Sequence, residues 1–400
     1  MTQWSLQQDQ ALRAVENWRR SNDKPFFYLA GYAGTGKTTL AKELAKSCST
    51  KFGAFTGKAA SVMRSMGCEN ASTIHSLIYQ PANKSAEHLR KLESYLVSLR
   101  GKPEQSAHVV SEIAQTEDNI KRERENLRRP SFTLNLESDL KYVELLVIDE
   151  CSMVDEQMGK DLLSFGTPIL VLGDPAQLPP VYGAGYFTAQ TPDIMLTDVH
   201  RQALDSPVLW LATKVRQGEN LALGKYGDSA VVDKVKPQEV LDCDQVLVGR
   251  NATRKASNHR IRELRGLKVR SLFPLTGDRL VGLRNNHEIG LMNGAVYIAQ
   301  QDANTGDGYV NLVVVPEEGG APMYLSAHRE HFLGRGDEID HWDRRDAEEL
   351  DYGYALTVHK SQGSQWKSVV FFDEWFADHR REHLYTGLTR AQEKVRVVRK

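Results

Sequence analysis

Gly31, Gly36, Lys37 and Thr38 in "GYAGTGKTTL" (residues 31–40) fit the spacing G-x-x-x-x-G-K-[ST]. The stretch lies between the apolar run "PFFYLAG" (25–31) and a helical pattern that begins near Lys37. In that setting glycines let backbone N–H groups curl around phosphates, a lysine offsets β/γ-phosphate charge, and the next hydroxyl can ligate Mg2+. The expected chemistry is ATP binding with Mg2+, with Gly34, Thr35, Gly36, Lys37, Thr38 and Thr39 around the phosphates.

Hydrolysis needs a second group of residues facing that lysine. "LLVIDE" (145–150) is a strand-like run ending in Asp149-Glu150. Asp149 is suited to hold magnesium together with Thr38, and Glu150 to polarise the attacking water. Taken alone, two carboxylates at a strand end also describe a solvated turn. A third run, "LVLGDPAQLPPV" (170–181), sets Gln177 between a Gly-Asp-Pro turn and two prolines. A glutamine carries no charge and is a poor nucleophile, but its amide can donate a hydrogen bond.

Such residues must be held by parallel strands. Apolar runs recur before glycine or acidic turns at 25–31, 51–57, 145–150, 169–174, 244–250 and 368–374, separated by helical stretches. Continuous apolar strands suit parallel sheets covered on both faces, so a doubly wound α/β architecture with two sheets is expected. Two stretches depart from that pattern. Between 84 and 129 charged residues crowd, and Leu89, Leu92, Leu96, Leu99, Val110, Ile113, Ile120 and Leu127 recur at helical spacings across a Gly101-Lys102-Pro103 break, which predicts an antiparallel helical hairpin. From 276 to 344, short β-rich pieces separated by Asn-Gly and Gly-Gly turns predict a small β module.

Bulk properties narrow the classes. No apolar run reaches the roughly 18 residues of a membrane span, and "MTQWSLQQDQ" is not a signal peptide. Cys48, Cys68, Cys151 and Cys243 are far apart with no metal-ligand spacing, which fits reduced thiols in a cytosol. Lys+Arg 51 against Asp+Glu 52 gives a net charge of -1, so nucleic acid would need a local groove rather than a polycationic surface.

The ordered series "LQQDQ" (6–10), "GYAGTGKTT", "FTGKAA" (55–60), "STIHSL" (72–77), "VIDECSMV" (147–154), "GDPAQLPPV" (173–181), "DVHRQ" (198–202), "YALTVHKSQGSQW" (354–366) and "YTGLTRAQ" (385–392) resembles the superfamily 1B DNA helicases of the RecD and Dda group. The resemblance implies two RecA-like P-loop domains, the first formed by 1–83 and 130–197, the second by 198–275 and 345–400. The helical insertion (84–129) interrupts the first and an SH3-like insertion (276–344) the second. It implies that Gln177 senses the γ-phosphate, that Gln10 reads the adenine edge, and that Arg201 and Arg390 reach the triphosphate from the second domain. For DNA it points to Thr56, Lys58, Thr73, His75, Asn251, Thr357, His359, Lys360 and Ser361, hydroxyls and amides that grip phosphates without reading sequence. Trp366 at its loop-to-strand junction reads better as core than as a base-stacking platform.

The sequence departs from relatives at Phe55 (often proline), Gln365 (often glutamate) and Gly387 (often alanine). The expected function is a monomeric-core, cytoplasmic, ATP-dependent helicase on single-stranded DNA and ss/ds junctions, moving 5′ to 3′ by analogy alone, with a replication or recombination protein as a possible partner. Two rivals stay open: a translocase that strips bound proteins, and a non-motor subunit of a recombination complex. The 84–129 insertion reads equally as a duplex-splitting module, with the basic end 121–129 meeting duplex phosphates, and as a solvated hairpin that docks a partner.

Overall fold

The computed structural model describes residues 4–81, 87–101, 107–128, 132–179, 185–198, 205–267, 271–286, 289–306, 308–317, 319–339, 344, 346–374 and 378–399. Three sheets organise them. The first runs in the order Ala71–Thr73, Thr50–Ala54, Leu145–Asp149, Ile169–Gly173, Phe26–Gly31 and Ile194–Leu196, parallel throughout. Its central strands are apolar on both faces because helices cover both; all five residues of Ile169–Gly173 are buried. Helix Leu6–Ser21 shows how one side is closed. Ser5 and Gln8 form a capping box at its start, and Ala11, Val15 and Trp18, three or four residues apart, are buried.

The second sheet runs Ala355–Thr357, Gln245–Val248, Trp366–Asp373, Ala391–Arg399, Ser229–Val232 and Gly224–Tyr226, with only the last pair antiparallel. Trp366 packs at the edge of the core beneath it. The third sheet is antiparallel: Asn304–Gly306, Tyr309–Pro316, Val296–Ala299, Arg279–Gly282 and Leu350–Tyr352, with Met323–His328 beside Tyr309–Pro316. Its last strand lies beyond residue 344, so the β module runs past the boundary expected from the sequence. Leu350–Tyr352 returns to pair with Arg279–Gly282 and leads directly into Ala355–Thr357 of the second sheet. Those two neighbouring strands tie the module to its sheet.

Helices Glu87–Arg100 and Ala107–Arg128 pack on each other, burying Leu99, Val109 and Ile120 and joined at the surface by Tyr95–Glu112 and Arg100–Glu117 contacts. The chain enters and leaves this pair through an antiparallel ribbon, Tyr79–Pro81 with Phe132–Leu134. No helix among the described residues is long and apolar enough to cross a membrane.

Candidate active site

Strand Phe26–Gly31 is flanked on both sides by parallel neighbours and delivers the loop 31–36 at the carboxyl edge of the first sheet, where open α/β sheets bind ligands. A Cβ on Gly31 would lie 2.7 Å from Thr35 Oγ1 and 2.9 Å from Leu196 Cβ, so no larger residue fits there. Gly34 and Gly36 take φ of 80° and 82°, the left-handed region that favours glycine. From that turn helix Lys37–Ala45 starts with its N-terminus facing the loop. Lys37 Nζ donates to the carbonyls of Gly31 (2.6 Å) and Tyr32 (3.2 Å), folded back over its own loop. Gln8 supports the loop from outside, donating through Nε2 to the Thr35 carbonyl at 3.0 Å.

Across from Lys37, Thr38 Oγ1 donates to Asp149 Oδ2 at 2.8 Å. A hydroxyl and a carboxylate already this close are the oxygen donors a hard divalent cation takes, so the pair fits magnesium. Glu150 has φ of 54°, an uncommon backbone for a residue with a side chain. Burial raises its carboxyl above the usual range, and Arg390, 3.9 Å away, offsets only part of that rise. A carboxylate tuned in this way is suited to general-base work.

Gln177 and Arg390 close the cavity. Gln177 is 9% exposed, and its Oε1 has no hydrogen-bond partner among the described residues. Arg390 is 2% exposed, donates to the carbonyls of Thr386 and Ser364, and comes from the second sheet's side of the molecule. Gly34, Gly36, Lys37, Thr38, Thr39, Asp149, Glu150, Gln177, Gln365 and Arg390 line a cavity of about 260 Å3. Thr35 turns away, donating to the Tyr32 carbonyl at 2.8 Å, and Gln10 is an exposed helix residue outside the cavity. Arg201 lies outside the described residues.

The residues expected to grip DNA lie on several separate turns and helix starts. Thr56 caps helix Gly57–Ser65 and Lys58 is its second residue; burial lowers the Lys58 pKa and Glu317 acts against that shift. His75 lies between Phe55 and Tyr79, with ring centroids 6.1 and 5.5 Å away. Lys360 is exposed on the turn after Thr357, yet desolvation and then Arg254 lower its ammonium to about 8. The strand-end turn carrying Lys360 meets the Thr56 turn directly, since a Cβ on Gly363 would lie 2.8 Å from Ala59 Cβ. His359 is half-buried there, its pKa lowered by desolvation. Asn251 is exposed at the start of helix Asn251–Leu264, a third position.

Thr73, Thr357 and Ser361 are all buried, and Thr357 Oγ1 accepts from the Lys360 N–H at 3.3 Å. Thr73 is buried as a helix cap with its hydroxyl on Ser76, and Ser361 is fully buried with its hydroxyl donated to the Val358 carbonyl at 2.7 Å. Both hydroxyls are engaged inside the protein. Tyr385, Gln362 and Glu374 were not singled out in the sequence. The first two sit inside "YTGLTRAQ" and "HKSQGSQW", whose spacing carries no signal of their distant partners. Glu374 accepts from the backbone N–H of Gly249 and Arg250 and the hydroxyl of Thr253, capping the helix that starts at Asn251.

Comparison with known proteins agrees with this layout. The AAA domain profile matches residues 5–237, and the UvrD-like helicase C-terminal domain profile matches 352–398. The chain is 28% identical over 399 residues to the ATP-dependent RecD2 DNA helicase of Deinococcus radiodurans, an overlap of 92% of this chain and 46% of that protein. It is 26% identical over 292 residues to the conjugal transfer protein TraA of Agrobacterium fabrum, covering 63% of this chain and 24% of that one. The match thus spans less than half the length of either relative. Among solved structures it resembles a Pif1 helicase from work on unwinding at forked dsDNA (TM-score 0.57, 17% identity, 99% of this chain and 92% of that). Bacteroides Pif1 in complex with ADP-AlF3 and ssDNA is similar at TM-score 0.54 and 16% identity, again over 99% and 92%. Candida albicans Pif1 follows at 0.51 and 18%, over 100% and 94%. At these identities the structural likeness speaks for the fold.

Proposed function

The chain belongs to the AAA-domain family, and from that premise we propose that it is a superfamily 1B helicase of the RecD/Pif1 type that hydrolyses ATP to move 5′ to 3′ on single-stranded DNA and open duplexes ahead of it. One observation carries the reading: Lys37, Asp149, Glu150 and Gln177 from the first sheet and Arg390 from the second side line a single cavity. A phosphoryl-transfer site shared between two sheet units changes when they move apart, which links hydrolysis to displacement.

The proposed roles follow from chemistry. Lys37 offsets β/γ-phosphate charge, Glu150 takes the proton from the attacking water, and Arg390 stabilises charge on the transferring oxygens. Gln177 donates a hydrogen bond to the γ-phosphate and loses it on hydrolysis. Thr38 and Asp149 would hold magnesium, which when bound neutralises phosphate charge and orients the chain of phosphates. Arg201 is proposed as a second arginine and Gln10 as the adenine contact. Residues 276–352 are proposed as an SH3-like module, and the helical pair as the first unit's insertion.

The test has two stages. ATP hydrolysis is measured with and without single-stranded DNA, then unwinding is measured on duplexes carrying a 5′ or a 3′ overhang. The reading expects hydrolysis stimulated by DNA and opening of the 5′-tailed duplex. Hydrolysis indifferent to DNA, or opening only from a 3′ tail, overturns it.

A further inference from the structure

The segment 174–178, which carries Gln177, is held at both ends by residues of the second sheet's side. Tyr385, 2% exposed in helix Arg380–Leu388, donates its hydroxyl hydrogen to Asp174 Oδ2 at 2.7 Å and accepts from the Ala33 N–H of the phosphate loop at 3.1 Å. At the other end both backbone groups of Leu178 are taken. Its N–H donates to Thr386 Oγ1 at 2.9 Å, and its carbonyl accepts from Gln362 Nε2 at 3.0 Å. Within the segment, Asp174 Oδ1 accepts from the Ala176 N–H at 3.0 Å and the Asp174 carbonyl accepts from the Gln177 N–H at 3.1 Å.

Two features make this more than satisfied interface polarity. Gln362 directly follows the turn His359–Ser361, so two peptide units separate Lys360 from the side chain that holds Leu178. Gln177 Oε1 and Gln362 Oε1 are both buried without a hydrogen-bond partner among the described residues. A buried unpaired acceptor is costly, so each amide has reason to reorient when a new donor or ligand arrives.

We infer that Tyr385 and Gln362 are positioning residues that set where Gln177 stands, so that occupation of the Lys360 turn by DNA is read at the γ-phosphate through Gln362, Leu178 and Gln177. The inference rests on the proposed DNA-stimulated hydrolysis and names the path of that stimulation. Neither residue touches the phosphates; both act through the 174–178 segment.

The experiment separates the two levels. Wild-type protein is assayed first for ATP hydrolysis with and without oligo(dT); absence of stimulation there defeats the functional reading itself. Given stimulation, Tyr385→Phe, which removes one oxygen, and Gln362→Met, which removes the donor at similar length, are compared with it. Expected is a fall of about tenfold in DNA-stimulated kcat, as for one lost buried hydrogen bond, with basal turnover, KM for ATP and Tm close to wild type. The double variant should fall no further than the worse single one, because both act on one segment. Equal losses of basal and stimulated turnover, fully additive losses, or unchanged stimulation in both variants would overturn the inference.

Discussion

The role proposed for Gln177 as a γ-phosphate sensor suits an amide, because a charged group would bind product too tightly and an apolar one would sense nothing. Gln177 Oε1 is buried and has no partner among the described residues, so the side chain does not face solvent. Replacing it with alanine should leave ATP binding intact while hydrolysis loses its response to DNA, a change of about 1–3 kcal/mol for one donor in a closed site; phosphate release with and without DNA measures it. Lys37→Ala should abolish hydrolysis altogether, because among the described residues no other cation lines the cavity on that side to offset β/γ-phosphate charge. Turnover near wild type in that variant would remove the phosphate-loop assignment. Lys360 gives a pH dependence. Its pKa is lowered to about 8, so the ammonium is charged below that pH and loses its proton as the pH rises through it. Single-strand affinity should therefore weaken by about three- to tenfold between pH 7 and pH 9.5, and Lys360→Arg should flatten the profile. An unchanged slope in the arginine variant would exclude Lys360 from the phosphate contacts.

Elements were read from the sequence about as well as their physics allowed. The strands that carry Lys37, Asp149 and Gln177 are unbroken apolar runs ending in glycine or acid, so their positions could be read within a residue or two. Leu350–Tyr352 was not separable from its surroundings, since "ELDYGYAL" alternates acidic, aromatic and glycine residues, and only pairing with Arg279–Gly282 identifies it as a strand. Tyr385 and Gln362 lay within quoted motifs, but their roles are set by partners more than 180 residues away in sequence, which spacing cannot show. Gly387 is explained by packing: an added Cβ would lie 2.6 Å from the Phe371 ring, so the alanine common in relatives does not fit against this neighbour. The helical pair Glu87–Arg100 and Ala107–Arg128 leaves the first sheet through one ribbon, Tyr79–Pro81 with Phe132–Leu134, so it can be removed without cutting a core strand. Replacing 86–128 by a short Gly/Ser linker should keep DNA-stimulated hydrolysis and abolish opening of a 5′-tailed fork, since closing a shorter loop changes stability only modestly. Fork opening at the wild-type rate would leave the pair as a docking element instead.

Over the whole molecule the three sheets converge on one small region. Gly363 of the second sheet's side packs on Ala59, and Met292 of the β module packs on Gly57, where an added Cβ would lie 3.2 Å from its sulfur. The Thr56 turn, the Lys360 turn and the β module thus form one contact zone, and any strand held there feels the relative position of all three. The molecule as a whole carries a net charge of -1, so binding of a polyanion needs a local site, for which that zone is the proposed place. Two of the lysines expected to contact phosphates, Lys58 and Lys360, lie there, and Thr56 adds a half-buried hydroxyl. For single strands each neutralised phosphate contributes about -0.7 to the slope of log K against log salt. Two contacts predict a slope of about -1 to -2 for a short oligo(dT) titrated by fluorescence anisotropy across a range of salt concentrations, and Lys360→Ala should make it shallower by about 0.7. Forked DNA should give a steeper slope than the single strand if the basic end of the helical pair, 121–129, meets duplex phosphates. Equal slopes on fork and single strand would confine binding to the contact zone, and a single-strand slope of about -4 or steeper would require a basic surface beyond these two lysines.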